Sequence, residues 1–166
     1  MRTGRHSAKG GYALLAALVA VALVAAGALR VGTQWTERTA RENEEELLFV
    51  GGQYRDAIAG YYRASPNNAG QFPRTIADIL EDRRTGATRR HLRRAWRDPV
   101  ANSSEWGLER AADGGIAGVF SQSDRQPLKK AGFASADAAF SGSASYRQWK
   151  FVFRPEDGMS ASAKAP

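Results

Sequence analysis

From Gly10 to Leu29 the chain reads GGYALLAALVAVALVAAGAL, 20 residues without a charge, closed by Lys9 on one side and Arg30 on the other. A helix of that length is roughly 30 Å long at about 1.5 Å per residue, which matches the hydrocarbon core of a bilayer. Arg2, Arg5 and Lys9 precede the run and no acid does. The positive-inside rule therefore predicts a single-pass segment with a cytoplasmic N-terminus and the remainder across the membrane. Two plainer readings compete with a processed anchor. One is a cleaved secretory signal, for which Ala26-Gly27-Ala28 would serve as a small-residue cutting site; the other is an unprocessed single-span anchor. The run is longer than the roughly 7–15 apolar residues of a typical signal core, which disfavours the first.

The stretch beyond Arg30 bears on the choice. No proline occurs between Val31 and Ala64, and Leu47, Val50, Tyr54, Ile58 and Tyr61 recur at spacings of three and four. That spacing puts them on one stripe of a helix, with most of Glu44, Glu45, Glu46, Arg55, Asp56 and Arg63 off it. The pattern predicts an amphipathic helix lying on a small domain. Gly51 and Gly52 weaken it by about 1 kcal/mol each, and they allow a bend or the close approach of another element. Pro66 ends it, with residues 65–70 as the loop. Only scattered glycines interrupt the interval from Leu14 to Ala64, so one helix of roughly 50 residues is expected, about 75 Å long.

The remainder reads as alternating short elements. Ile76, Ile79 and Leu80 suggest a short helix capped by Thr75 or a neighbour. Trp106 to Glu109 reads as a strand, Asp113-Gly114-Gly115 as a hairpin turn, and Ile116 to Ser121 as the return strand. A Gly/Ser/Ala-rich loop spans 121–145. Tyr146 to Phe153 is the strongest strand signal, with Trp149, Phe151 and Phe153 on one face. Two or three strands need a helix to cover their apolar side, and the Leu47–Tyr61 stripe supplies it. The expected fold is α+β: a long N-terminal helix against a small antiparallel sheet. The divisions are a basic leader at 1–11, a transmembrane helix at 12–30, its amphipathic continuation at 31–65, a domain at 66–154 and a loose tail at 155–166.

Composition excludes much chemistry. The 166 residues contain no cysteine and two histidines, which removes disulfides, thiolate metal sites and a cysteine nucleophile. Ser121 and Ser123 have no nearby histidine to activate them. No phosphate loop, metal cluster or nucleophile constellation is present, so no catalytic residue and no cofactor is expected. Residues 83–97 hold seven arginines, one histidine and no acid. This run reads as a solvated or ion-paired face, as a contact between subunits, or as a nucleic-acid patch with only Trp96 to stack a base. Removing residues 1–11 takes the net charge from +7 to +4, which weakens the nucleic-acid reading. Carboxylates such as Glu81 and Asp82, beside Arg83 and Arg84, read as capping and solvation.

Taken in order, Lys9-Gly10-Gly11-Tyr12-Ala13-Leu14-Leu15, the Arg41–Ile58 helix with Tyr61-Tyr62, Phe72-Pro73 with Ile79-Leu80, Arg97-Asp98-Pro99, Trp106-Gly107-Leu108, Gly115–Val119 and Tyr146–Trp149 make the chain similar to type IV pilin-like proteins. It most resembles the pseudopilins of type II secretion, over most of its length from Lys9 to Pro155. The resemblance implies a pilin-like fold, cutting by a prepilin peptidase between Gly11 and Tyr12, and methylation of the new N-terminus. It also implies residence in a bacterial inner membrane with the C-terminal domain periplasmic. Assembly into a pseudopilus would come next, through other pseudopilin subunits and an inner-membrane assembly platform. In that fibre Leu14, Leu15, Ala16, Leu18 and Val19 would pack in the core, where small residues such as Ala13, Ala17, Ala20 and Ala22 let helices approach. Main subunits of the family carry Glu at the fifth mature position, where this chain has Ala16; that points to a minor, tip or divergent subunit. The family's calcium loop is not clearly matched, and Asp124 and Asp137, its candidate ligands, lie at no recognisable ligand spacing.

Under this reading Glu42, Glu44, Glu45 and Glu46 of one subunit pair with Arg89, Arg90, Arg93 and Arg94 of the next. Exposed pairs contribute about 0–1 kcal/mol each, so they would set register more than affinity. The alternative is a membrane-tethered periplasmic binding module that applies its arginines to DNA or another acidic surface.

Overall fold

A computed structural model describes the backbone from residue 9 to 156, and the side chains of that span apart from 9–11, 24–36 and 68. Most of the leader, residues 1–8, and the end of the tail, residues 157–166, lie outside the described residues, as do the surroundings of Gly11 and the side chains in the second half of the apolar run. Helix α1 spans Lys9–Arg63, 55 residues. The chain divides into two units after Thr39.

In the first unit the described side chains from Tyr12 to Leu23 are all exposed, with Tyr12 at 77% and Leu23 at 69%. Leu14, Leu15, Ala16, Leu18 and Val19 are among them. Among the described residues no helix is long and apolar enough to cross a membrane.

In the second unit α1 carries the expected stripe. Leu47, Val50, Tyr54, Ile58 and Tyr61 are all buried. Helix α2, Ile76–Leu80, begins with a capping box: the Thr75 hydroxyl accepts from the Asp78 N–H, and the Asp78 carboxylate accepts from the Thr75 N–H. Such a reciprocal cap satisfies two backbone donors that the helix itself leaves open. Ile79 is its fully buried residue.

Strands β1 (Gly107–Arg110), β2 (Ile116–Phe120) and β3 (Lys150–Val152) form an antiparallel sheet in the order β1-β2-β3. The β1–β2 hairpin turns at Gly114, whose φ of +79° is the left-handed conformation that glycine adopts without strain. The mixed α+β architecture is therefore present.

Two expectations need correction. The last strand is shorter than 146–153, because Tyr146–Gln148 forms a turn of 3-10 helix, closed by the Trp149 N–H donating to the Tyr146 carbonyl. The turn leaves Trp149, Phe151 and Phe153 buried together as the alternation predicts. The 121–145 loop also contains a 3-10 segment, Ser135–Phe140, that delivers Phe140 to the core.

Phe140 stacks on Trp149 at 5.5 Å and meets Phe151 edge-on at 5.0 Å, while Phe133 and Tyr146 pack edge-on against Trp149 at 5.3 and 5.2 Å. Trp149 Nε1 is buried without a hydrogen-bond partner. That omission costs about 1–3 kcal/mol. Aromatic contacts contribute about 0.5–1.5 kcal/mol each beyond area burial, so three around one indole offset it.

Gly51 explains how α1 and the sheet come so close. A Cβ there would fall within the ring of Phe151, which is fully buried. Gly51→Ala gains roughly 1 kcal/mol of helix propensity but overpacks the core. The expected net result is a loss of about 1–2 kcal/mol, read as a lower urea midpoint, whereas Gly52→Ala, which meets only the far end of Arg55, should be neutral or stabilising. A stabilised Gly51→Ala would contradict this packing.

Candidate functional site

The fold sorts the charged clusters that the sequence offers as candidates. The segment after α2 is tied down by Asp82, whose side chain is fully buried. Its backbone pairs with Arg89 through two bonds of 2.8 Å. The His91 and Leu92 N–H groups both donate to the Ile79 carbonyl at 3.0 Å, which buries Leu92. Between and beyond these anchors Arg89, Arg90, Arg93 and Arg94 stand exposed, as expected.

Asp82 caps a local backbone N–H as expected but is not solvated: its carboxylate is sealed inside the fold. Arg84 Nε donates to Oδ1 and Arg84 Nη2 to Oδ2, both at 2.9 Å, the two-pronged geometry that makes guanidinium–carboxylate pairs strong. The Arg84 N–H also donates to Oδ1. His91 Nε2 lies 3.1 Å from Oδ2, and since a carboxylate only accepts, that nitrogen carries the proton. The Arg84 guanidinium, helped by its backbone N–H and by His91, holds the Asp82 carboxyl well below the usual range despite burial. Arg84 is bound as well to the Tyr61 carbonyl and the Ser65 hydroxyl, and its guanidinium sits 3.4 Å above the Tyr61 ring. It is a structural residue and not part of the exposed arginine face.

The glutamates split in the same way. Glu42, Glu45 and Glu46 are exposed. Glu44 is buried, 3% exposed, and so cannot reach another subunit. Its carboxylate accepts from the Leu128 N–H at 2.6 Å, the Lys129 N–H at 3.1 Å and the Tyr146 hydroxyl at 2.9 Å. Burial, then the bond to Glu44, pushes the Tyr146 hydroxyl up. A signal for this was present: Glu44 lies three residues before Leu47, on the buried stripe.

Glu46 shares a recess of about 540 Å³ with Arg94, Trp96, Arg97 and Asn43. Trp96 is placed there by its own backbone: its N–H donates to the Tyr54 hydroxyl at 3.0 Å, and its carbonyl accepts from Trp106 Nε1 at 2.9 Å. Burial pushes the Tyr54 hydroxyl up, so it stays a neutral donor and acceptor. Arg94 stacks over Trp96 at 3.8 Å, and exposed Phe49 meets the same indole edge-on at 6.1 Å. Acid, arginine and two aromatics thus form one surface, of which the arginine and the aromatics are residue types enriched at protein contacts.

The remaining candidates are internal. Ser121 donates to buried Asp98 at 2.6 Å, and Asp98 also accepts from the Val100 and Ala101 N–H groups. Asp124 pairs with Arg147 and Asp137 with Arg55, so the two candidate calcium ligands lie in separate ion pairs. No protein-family model, no curated protein and no solved structure matches this chain.

Proposed function

We propose that this chain is a pseudopilin-like subunit that assembles with its own kind or with related subunits into a membrane-rooted pseudopilus for protein secretion, and that it catalyses nothing itself. The observation that carries the reading is the two-part character of α1. Its first described stretch exposes an unbroken row of apolar side chains from Tyr12 to Leu23, and its last turns bury one stripe under a small antiparallel sheet. Exposed apolar surface of that extent calls for lipid or for neighbouring helices. Leu14, Leu15, Ala16, Leu18 and Val19 would serve in both surroundings, since packing governs helix association in either.

The Glu46–Arg94–Trp96 recess with Glu42 and Glu45, and the exposed Arg89, Arg90 and Arg93, would set the register of one copy on the next. A head-to-tail contact of two different surfaces is what propagates a filament. Because Glu46 shares a recess with Arg94 and Arg97 in one chain, the arginines earlier in the segment, Arg89, Arg90 and Arg93, are the better partners for a neighbour's acids. The same acid beside the arginines, and the Trp96 face already covered by Arg94, weigh against a nucleic-acid surface.

The test is the mass of the N-terminus in a bacterium with an active prepilin peptidase. The expected product starts at Tyr12 and carries one methyl group on its amine. An intact leader, or a cut near Ala28, would overturn the proposal.

A further inference from the structure

Among the described residues strand β3 is an edge strand, paired with β2 alone. The Phe153 N–H donates to the Ala117 carbonyl, and the register sets Phe151 opposite Val119 and Val152 opposite Gly118. Bonded and non-bonded pairs alternate along an antiparallel ladder. The N–H and C=O groups of Lys150 and Val152 therefore point away from β2, and among the described residues none of them finds another partner. A row of open backbone groups of this kind is a template for one more strand.

That edge borders an open groove of about 1100 Å³. Lys150 and Val152 line it from β3, Arg154 from the segment just after the strand, and Arg55, Ala59 and Arg63 from α1. Ala138, Ala139 and Phe140 supply an apolar side. Arg110 brings the cations to five, against Asp56 and Glu109. Asp137 neutralises Arg55 at 2.7 Å, and Glu109 neutralises Lys150 at 2.8 Å. Arg63 rests over Phe153 and Arg110 reaches only the Gly114 carbonyl, so among the described residues these two and Arg154 have no carboxylate partner.

We propose that the free edge of β3 and the cationic groove beside it take up an extended acidic segment of a partner protein as a fourth strand of the sheet. Backbone hydrogen bonds would hold the segment, and its alternate side chains would meet the groove, as in other strand-addition contacts. The charge pattern selects the occupant. A second copy of the same edge would present Lys150, Val152 and Arg154, with no acid among them. It would bring Arg154 toward another cation, and like charges opposite one another are destabilising. A segment with Glu or Asp at every second position instead meets Arg63 and Arg154, the uncompensated cations nearest the β3 edge. This inference does not depend on whether the chain assembles as a pilin.

The experiment uses the full chain in detergent micelles and a synthetic peptide of alternating Glu and Val. Two further peptides carry backbone N-methyl groups on one or the other alternate set of residues, and a fourth replaces Glu by Lys. The expected result is binding of the Glu–Val peptide, slowed exchange of the Val152 amide, and loss of binding for one of the two N-methyl patterns. Reversing Arg63 and Arg154 to Glu should weaken binding by about tenfold or more, since rim charges steer such contacts. No binding at about 1 mM, the weak end of specific recognition, would overturn the proposal. So would equal binding of both methylated peptides, equal binding of the Lys–Val peptide, or an unchanged Val152 amide. The methylated peptides need no protein variant, so a folding defect cannot mimic their result.

Discussion

Asp82→Ala is expected to lower the stability of the domain by about 3–5 kcal/mol, the usual cost of removing one partner of a buried ion pair. The carboxylate is fully buried and receives two bonds from the Arg84 side chain, one from its backbone and one from His91. Alanine leaves the half-buried guanidinium without a counterion. It also loosens the start of the exposed arginine segment, which Asp82 and Arg89 close together. A small domain has about 5–15 kcal/mol in total, so the variant should be partly unfolded at modest urea. A loss under about 1 kcal/mol would show that solvent replaces Asp82 at little cost. Asp82→Ala combined with Arg84→Met should cost less than the two changes summed, because the orphaned charge goes too.

The same carboxylate sets a pH dependence. Arg84 depresses its folded pKa below the ordinary aspartate value of about 3.9. A depressed carboxylate contributes stability that is fully present above the unfolded pKa and is lost as pH falls through the folded one. The wild-type chain should therefore hold the Asp82 contribution at neutral pH and lose it progressively below about pH 4. Asp82→Asn, which cannot ionise, should start less stable and show a shallower acid slope. Equal slopes would remove Asp82 from the acid transition. Asp124 is depressed in the same direction by Arg147, but that pair is exposed and screened.

Elements with a period of their own were legible in the sequence. The Leu47–Tyr61 stripe, the Thr75 cap, the turn at Gly114 and the Trp149–Phe151–Phe153 face each follow from local spacing. The structure places each where the spacing predicts. Contacts set by tertiary packing were not legible. Phe140 sits in a Gly/Ser/Ala-rich stretch with no periodicity, and only the fold shows that it stacks on Trp149. Asp82 looks like its neighbour Glu81, yet Glu81 is exposed beside Arg83 while Asp82 is sealed under Arg84 and His91. The exposure of Arg89, Arg90, Arg93 and Arg94 is legible from a run of cations that no acid interrupts. The mixing of Glu46 with Arg94 and Trp96 in one recess depends on Tyr54 and Trp106 positioning the Trp96 backbone, residues far apart in the chain.

Glu44→Ala is expected to rival Asp82→Ala, at about 3–5 kcal/mol, although it sits in a run of three glutamates where surface changes usually cost under about 0.5 kcal/mol. Among the described residues the Glu44 carboxylate accepts from the Leu128 and Lys129 N–H groups and from the Tyr146 hydroxyl. Hydrogen bonds to a charged acceptor contribute about 1.5–3 kcal/mol each, and a buried donor left without a partner adds its desolvation cost. The three donors lie at residues 128, 129 and 146, so one α1 side chain fastens both arms of the loop that carries Phe133 and Phe140 to Trp149. Losing it should show first as a faded near-ultraviolet signal from the aromatic cluster, while the helical signal of α1 persists. Tyr146→Phe removes one donor together with its need for a partner and should cost only about 1–2 kcal/mol. Glu45→Ala and Glu46→Ala, whose side chains are exposed, should leave stability within about 0.5 kcal/mol. If Glu44→Ala proved as mild as they are, the carboxylate would not be fastening the loop, and its neighbours' role in subunit contact could be extended to it. If it is severe while Glu45 and Glu46 are silent in stability, any assembly defect from those two reports on the surface alone.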